Sequence, residues 1–143
     1  MKIKEALVKS IKSENNYEES VQNFDILTER MEDDFIPYRV EQNVMMWLND
    51  DGIIGEIECI FPTQIEQQKS LIEEEDTLVL NGFPLVDTEE NVFIPEVKVF
   101  KNNNYFMLYL SESCKYNKII ISENLTFYVN NTELIAIRAI QDK

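Results

Sequence analysis

The chain has 143 residues, 44% of them hydrophobic and 28% charged, the composition of one folded domain rather than of a disordered segment. It carries 13 Lys/Arg against 27 Asp/Glu, a formal charge of −14, and no histidine. Without His there is no Ser-His-Asp triad, Cys-His pair, imidazole zinc site or axial haem histidine. The negative balance opposes general binding to nucleic acid or to an anionic membrane.

Ile3, Ala6, Leu7 and Ile11 recur at helical spacing, with Lys2, Lys4, Glu5, Lys9 and Lys12 mostly on the other side. That pattern predicts an amphipathic helix, broken at Ser13-Glu14-Asn15-Asn16. Asn16, with Glu19 three residues on, has the pattern of a capping box. Tyr17, Val21, Phe24, Leu27 or Thr28, and Met31 would line one side of a second helix, its part after Phe24 open to an extended conformation. Pro37 ends whatever precedes it.

From Tyr38 the period changes to 2. Val40, Gln42, Val44, Met46 and Leu48 alternate with Arg39, Glu41, Asn43, Met45 and Trp47. Asn49-Asp50-Asp51-Gly52 and the run from Ile53 to Phe61 then predict a hairpin, since Gly accepts the positive φ of such a turn. In its second strand Ile57, Cys59 and Phe61 face one way and Glu56, Glu58 and Ile60 the other. Pro62 to Asp76 is polar, with Thr63 placed to cap a short helix reaching Leu71-Ile72. Leu78-Val79-Leu80, closed by Asn81-Gly82, and Phe93-Ile94-Pro95 read as short extended pieces.

The last third is β in character. Val97–Lys101 and Tyr105–Leu110 flank Asn102-Asn103-Asn104; Ile119–Ile121 is a short strand; Leu125–Val129 and Glu133–Ile140 flank Asn130-Asn131. The expected fold is α+β over residues 1–143: one or two N-terminal helices on a mainly antiparallel sheet of about six strands built from hairpins.

Two hairpins echo each other. Val44–Asp50 parallels Leu125–Asn131, and Ile54, Ile57 and Ile60 match Leu134, Ile137 and Ile140, with one residue fewer in the second loop. Shared alternation alone accounts for this; the other account is a pseudo-twofold sheet of related hairpins. On that second account the copies differ most in charge, Glu56 and Glu58 standing where the later hairpin has Ala136 and Arg138.

Charge is unevenly spread. Residues 1–90 hold 7 Lys/Arg and 22 Asp/Glu, a balance of −15; residues 91–143 hold 6 and 5, a balance of +1. Acidic loops serve solubility, and they also attract a basic partner with a salt-dependent on-rate. Glu56 and Glu58, with Asp50 or Asp51 nearby, offer oxygens to a divalent cation, but the loop lacks the Asp-x-Asp-x-Asp-Gly pattern of a calcium site, and no metal is expected. Gly52, Gly55 and Gly82 form no phosphate loop, so no cofactor is expected. Cys59 beside Glu58, and Cys114, read as structural thiols of a reduced, cytoplasmic protein. Trp47 faces away from the main core: either the helices cover it, or it is an aromatic anchor in an acidic field.

The leading functional reading is a non-catalytic protein that binds a basic protein partner. Its concrete form is an inhibitor or immunity protein that neutralises a basic toxin such as a nuclease. The expected contact residues are Trp47, Asp50, Asp51, Glu56 and Glu58, with the run Glu73, Glu74, Glu75 and Asp76. The rival is a small-ligand-binding or homodimeric assembly module, and a carboxylate-dependent hydrolase comes third.

Overall fold

A computed structural model describes residues 1–142. Fourteen strands follow one another: β1 (Ile3–Val8), β2 (Ser13–Glu18), β3 (Asn23–Thr28), β4 (Ile36–Glu41), β5 (Val44–Leu48), β6 (Ile54–Ile60), β7 (Thr63–Ile65), β8 (Ile72–Asn81), β9 (Phe83–Val86), β10 (Lys98–Lys101), β11 (Tyr105–Tyr109), β12 (Lys115–Ser122), β13 (Leu125–Asn130) and β14 (Glu133–Ile140). Among the described residues the only helical turn is the 3-10 piece Glu19–Val21.

The two N-terminal helices are therefore overturned, and the fold is nearly all β rather than α+β. Over β1 only Ile3 is buried; its Lys and Glu residues stay in solvent, so the helical spacing is an accident of a strand rich in charge. The second segment is a true period-2 pattern. Phe24, Ile26 and Thr28 point into the core and Asn23, Asp25 and Leu27 point out, while Asn16 caps nothing and pairs with Asp25 in a strand ladder. The helix after Thr63 is replaced by β7 and an irregular segment, and Phe93-Ile94-Pro95 lies in a loop.

The Tyr38–Leu48 run is two strands joined at Gln42-Asn43. The two-residue turn sets Glu41 opposite Val44 and alone would swap the inward and outward rows; a bulge between Arg39 and Glu41 restores them, so the alternation survives and Val40 and Glu41 are both buried. The Asn49–Gly52 hairpin forms as expected, with Gly52 at φ 86.

Two large sheets pack face to face. One has the order β2-β3-β6-β5-β4, the other β7-β10-β11-β14-β13-β12-β8. A single core runs through both and includes the β1–β9 pair; Phe24 meets Phe106 edge-on across it at 5.2 Å.

The order of the first sheet is the order of the second without its two outermost strands. β2-β3-β6-β5-β4 corresponds strand for strand to β10-β11-β14-β13-β12, antiparallel throughout. The register agrees as well. Phe24 pairs with Cys59 and Ile26 with Ile57, as Phe106 pairs with Ala139 and Leu108 with Ile137. Each hairpin bulges at the same place, between Trp47 and Leu48 in one and between Tyr128 and Val129 in the other.

Closing hydrogen bonds repeat too. The Ile60 N–H donates to the Asn43 carbonyl at 3.0 Å and the Ile140 N–H to Asn124 at 3.1 Å; the Phe61 N–H donates to Gln22 at 3.0 Å and the Gln141 N–H to Asn104 at 2.9 Å. The hairpin echo is thus part of a five-stranded module present twice, at residues 13–61 and 97–141.

The modules hold each other reciprocally. Glu41, the last residue of β4, accepts the Val97 N–H at 3.0 Å as the chain enters the second module, and Ser122, the last of β12, accepts the Ile11 N–H at 2.7 Å as it enters the first. Both side chains are buried, so each is a polar group that needs the partner it has.

Strand β8 is the far edge of the larger sheet, with Leu78 and Val79 exposed. Its register slips between Glu73↔Tyr116 and Leu78↔Lys118, and the Thr77 hydroxyl donates to the Glu74 carbonyl at 2.6 Å. The acidic run is therefore a bulge that throws carboxylates off an apolar edge, a device against strand-to-strand association. Excising Glu75, Asp76 and Thr77 would restore an even register. The expected result in sedimentation velocity is a mass that grows with concentration where the parent's does not; identical profiles would refute the protective role.

Candidate functional site

Because Phe24, Ile26, Val44, Met46, Leu48, Ile57 and Cys59 face the core, the intervening residues of β3, β5 and β6 form the outer face of the first module. Asp25 stands directly opposite Glu58, Glu58 opposite Met45, and Glu56 between Leu27 and Trp47. The carboxylates of Asp25, Glu56 and Glu58 converge, one oxygen from each lying within 4.8 Å of the others, and all three residues are half-buried. Like charges directly opposite one another on a sheet repel. Burial is the main force pushing the Asp25 carboxyl up, to about 8; a hydrogen bond to Glu56, then the charges of Glu56 and Glu58, add to it. Asp25 therefore holds its proton well above the usual carboxylate range, within hydrogen-bond reach of Glu56.

Two oxygens on this face, Asn23 Oδ1 and Asp25 Oδ1, are buried without a hydrogen-bond partner. Ion pairs among the described residues are Lys2–Glu90 at 3.9 Å and Lys98–Glu96 at 3.4 Å, and neither reaches the cluster.

Of the residues expected from sequence, Trp47, Glu56 and Glu58 come together here. Trp47 is half-buried, and among the described residues no helix covers it. Asp50 and Asp51 are exposed at the hairpin tip, which Asn49 Oδ1 fixes by accepting the Ile53 N–H at 2.9 Å; neither joins the carboxylate cluster. Glu73, Glu74, Glu75 and Asp76 lie in the β8 bulge of the other sheet, where Glu74 accepts from Asn130 at 3.0 Å. The expected acidic surface is therefore two separate surfaces. Sequence reasoning missed Asp25, although the alternation from Asn23 to Thr28 carried the signal.

The cluster's oxygens are of the kind that a hard divalent cation takes, but its third member is Asp25 in place of Asp50 or Asp51. Phe61 leaves the inward row expected for it: it is exposed, at φ 50. Cys59 lies buried beneath the cluster, its thiol pushed up by burial first and then by Glu41, Asp25 and Glu58, which makes it a poor nucleophile. Cys59 and Cys114 are both free.

The second module is a built-in comparison. Residues 13–61 hold 2 Lys/Arg and 13 Asp/Glu, a balance of −11; residues 97–141 hold 5 and 3, a balance of +2. By register, Asp25, Glu56, Glu58 and Trp47 correspond to Met107, Ala136, Arg138 and Tyr128. One topology therefore carries an acidic outer face in one copy and an apolar and aromatic one in the other. No protein family and no curated protein matches the chain. Among the described residues no helix is long and apolar enough to cross a membrane.

Proposed function

We propose that the chain is a non-catalytic acidic protein that binds a basic protein partner through the outer face of its first module. Its concrete form is an inhibitor or immunity protein of the cytoplasm, directed at a basic toxin such as a nuclease. The observation that carries this reading is the Asp25–Glu56–Glu58 cluster, which receives no cation from the described residues and sits beside Trp47. Crowded carboxylates next to a half-buried indole gain most from a cation that arrives with apolar surface around it. Free Cys59 and Cys114 fit a reducing compartment. A hydrolase using the same carboxylates is the weaker reading, because they lie on an open sheet face rather than in a cleft.

Immobilised parent chain and a Glu56→Lys/Glu58→Lys variant test this against lysate of the source cells, at about 0.05 M and about 0.5 M salt. The expected result is a protein of net positive charge that only the parent retains, and only at low salt. Retention that ignores the two reversals, or retained proteins that are neutral or acidic, would overturn the reading.

A further inference from the structure

The outer face of the second module is already occupied. After β7 the chain crosses it as an irregular strap, residues 66–71, and Ile65 and Leu71 pack on the cluster of Met107, Tyr109, Ile135 and Ala136. The Tyr105 hydroxyl donates to Gln68 Oε1 at 2.8 Å, and the Tyr109 hydroxyl reaches the Lys69 carbonyl at 3.5 Å. The Lys69 ammonium lies over the Tyr109 ring, 5.3 Å from its centre. The outward residues of β11 are thus the floor under a length of chain.

On β3 the same three places hold Asn23, Asp25 and Leu27. These side chains are half-buried, and Asn23 Oδ1 and Asp25 Oδ1 are the acceptors that have no donor. They stand on alternate residues of one strand, roughly 7 Å apart. Each unmet buried acceptor is a cost that a donor from outside would remove. In the second module the cation at the Glu58 position is its own Arg138, stacked on Tyr105 at 4.2 Å; the first module has carboxylates there instead.

We propose that the first module takes an extended basic segment of a partner protein, laid across β3 and β6 as residues 66–71 lie across β11 and β14. An N–H of the segment meets Asn23, and a Lys or Arg side chain enters the Asp25–Glu58 pair with Leu27 and Trp47 flanking its stem. Lys and Arg carry several donors and no acceptor, the complement of this face. The inference rests on the basic-partner reading and adds the partner's form and place: an extended strand-like segment on β3, not a folded surface gripping the Asp50–Asp51 tip.

Random peptides of about a dozen residues, displayed and selected on the parent chain, are the probe. The expected winners carry Lys or Arg among apolar residues and shift the amide resonances of Asn23, Asp25 and Leu27. They bind an Asp25→Asn/Glu58→Gln variant at least about tenfold more weakly. Both changes keep side-chain shape on a half-exposed face, and the resonance shifts are read on the parent alone, so a folding defect cannot imitate the result. Basic winners that shift Asp50 and Asp51 and ignore the variant would overturn the strap geometry while leaving a basic partner in place. Winners without cations, or none that prefer the parent over Glu56→Lys/Glu58→Lys, would overturn both.

Discussion

Gly52→Ala is expected to cost about 3–4 kcal/mol of unfolding free energy, read from urea transitions of variant and parent. Gly52 has φ 86, a conformation that a residue with Cβ adopts at a cost of about 1–2 kcal/mol. A Cβ there would fall 2.0 Å from the Val86 carbonyl oxygen, backbone that cannot swing aside. The displacement would break the bond from the Val86 N–H to the Gly52 carbonyl, now 2.8 Å, which ties the first hairpin tip to β9. The second module makes the corresponding bond, also at 2.8 Å, from the Ile3 N–H to the Thr132 carbonyl, in a loop one residue shorter. A Thr132→Gly control should therefore cost no more than about 1 kcal/mol, the entropic penalty of glycine. A loss below about 1 kcal/mol for Gly52→Ala would mean that the tip and β9 are not coupled as described.

Elements with explicit turn chemistry were legible in the sequence. Asn49–Gly52, Asn102–Asn104 and Asn130-Asn131 each join the strands expected to flank them, because Asn and Gly at a tip leave the chain few other choices. The N-terminal third was not legible. Its strands are short and charged, and Tyr17, Phe24 and Met31 mimic a helical stripe across what are β2, a 3-10 turn, β3 and a loop. Strand identity there comes from pairing with β6, a contact about 30 residues away that no local window contains. That one misreading hid Asp25, since a helix would not have set it opposite Glu58. The duplication was half visible: the two echoing hairpins sit at matching places in the two modules, but β2-β3 and β10-β11 share too little sequence to be matched without the ladders.

The duplication also gives the charge asymmetry its meaning. Two copies of one topology need the same core, and they keep it: Phe24 and Phe106, Ile57 and Ile137, Val44 and Leu125 all lie inward. Their outer faces are free to diverge, and only the first gathers carboxylates that repel one another. Selection for solubility alone would favour spacing those charges apart.

Asp25→Asn is expected to stabilise the chain in alkaline solution and to leave it unchanged near pH 4. In the unfolded chain Asp25 titrates at its ordinary value of 3.8; in the folded chain it titrates at about 8. Between those values the folded state holds a proton that the unfolded state has released. Stability attributable to Asp25 therefore falls as pH rises through that window, because the folded state binds more protons. The slope for one proton is at most about 1.4 kcal/mol per pH unit. The side chain is half-exposed and the repulsion partly screened, so the whole effect amounts to about 1–2 kcal/mol. Asn keeps the shape, cannot ionise, and can donate to Glu56 as the protonated carboxyl does. Urea transitions of both chains across about pH 4 to 9 should give a difference near zero at the acid end that grows to about 1–2 kcal/mol in favour of the Asp25→Asn variant above pH 8. Taking the difference cancels the background of the other carboxylates. A flat difference, or one that favours the parent as pH rises, would mean that Asp25 does not hold its proton against the charges of Glu56 and Glu58, and the crowding that invites a partner's cation would be absent.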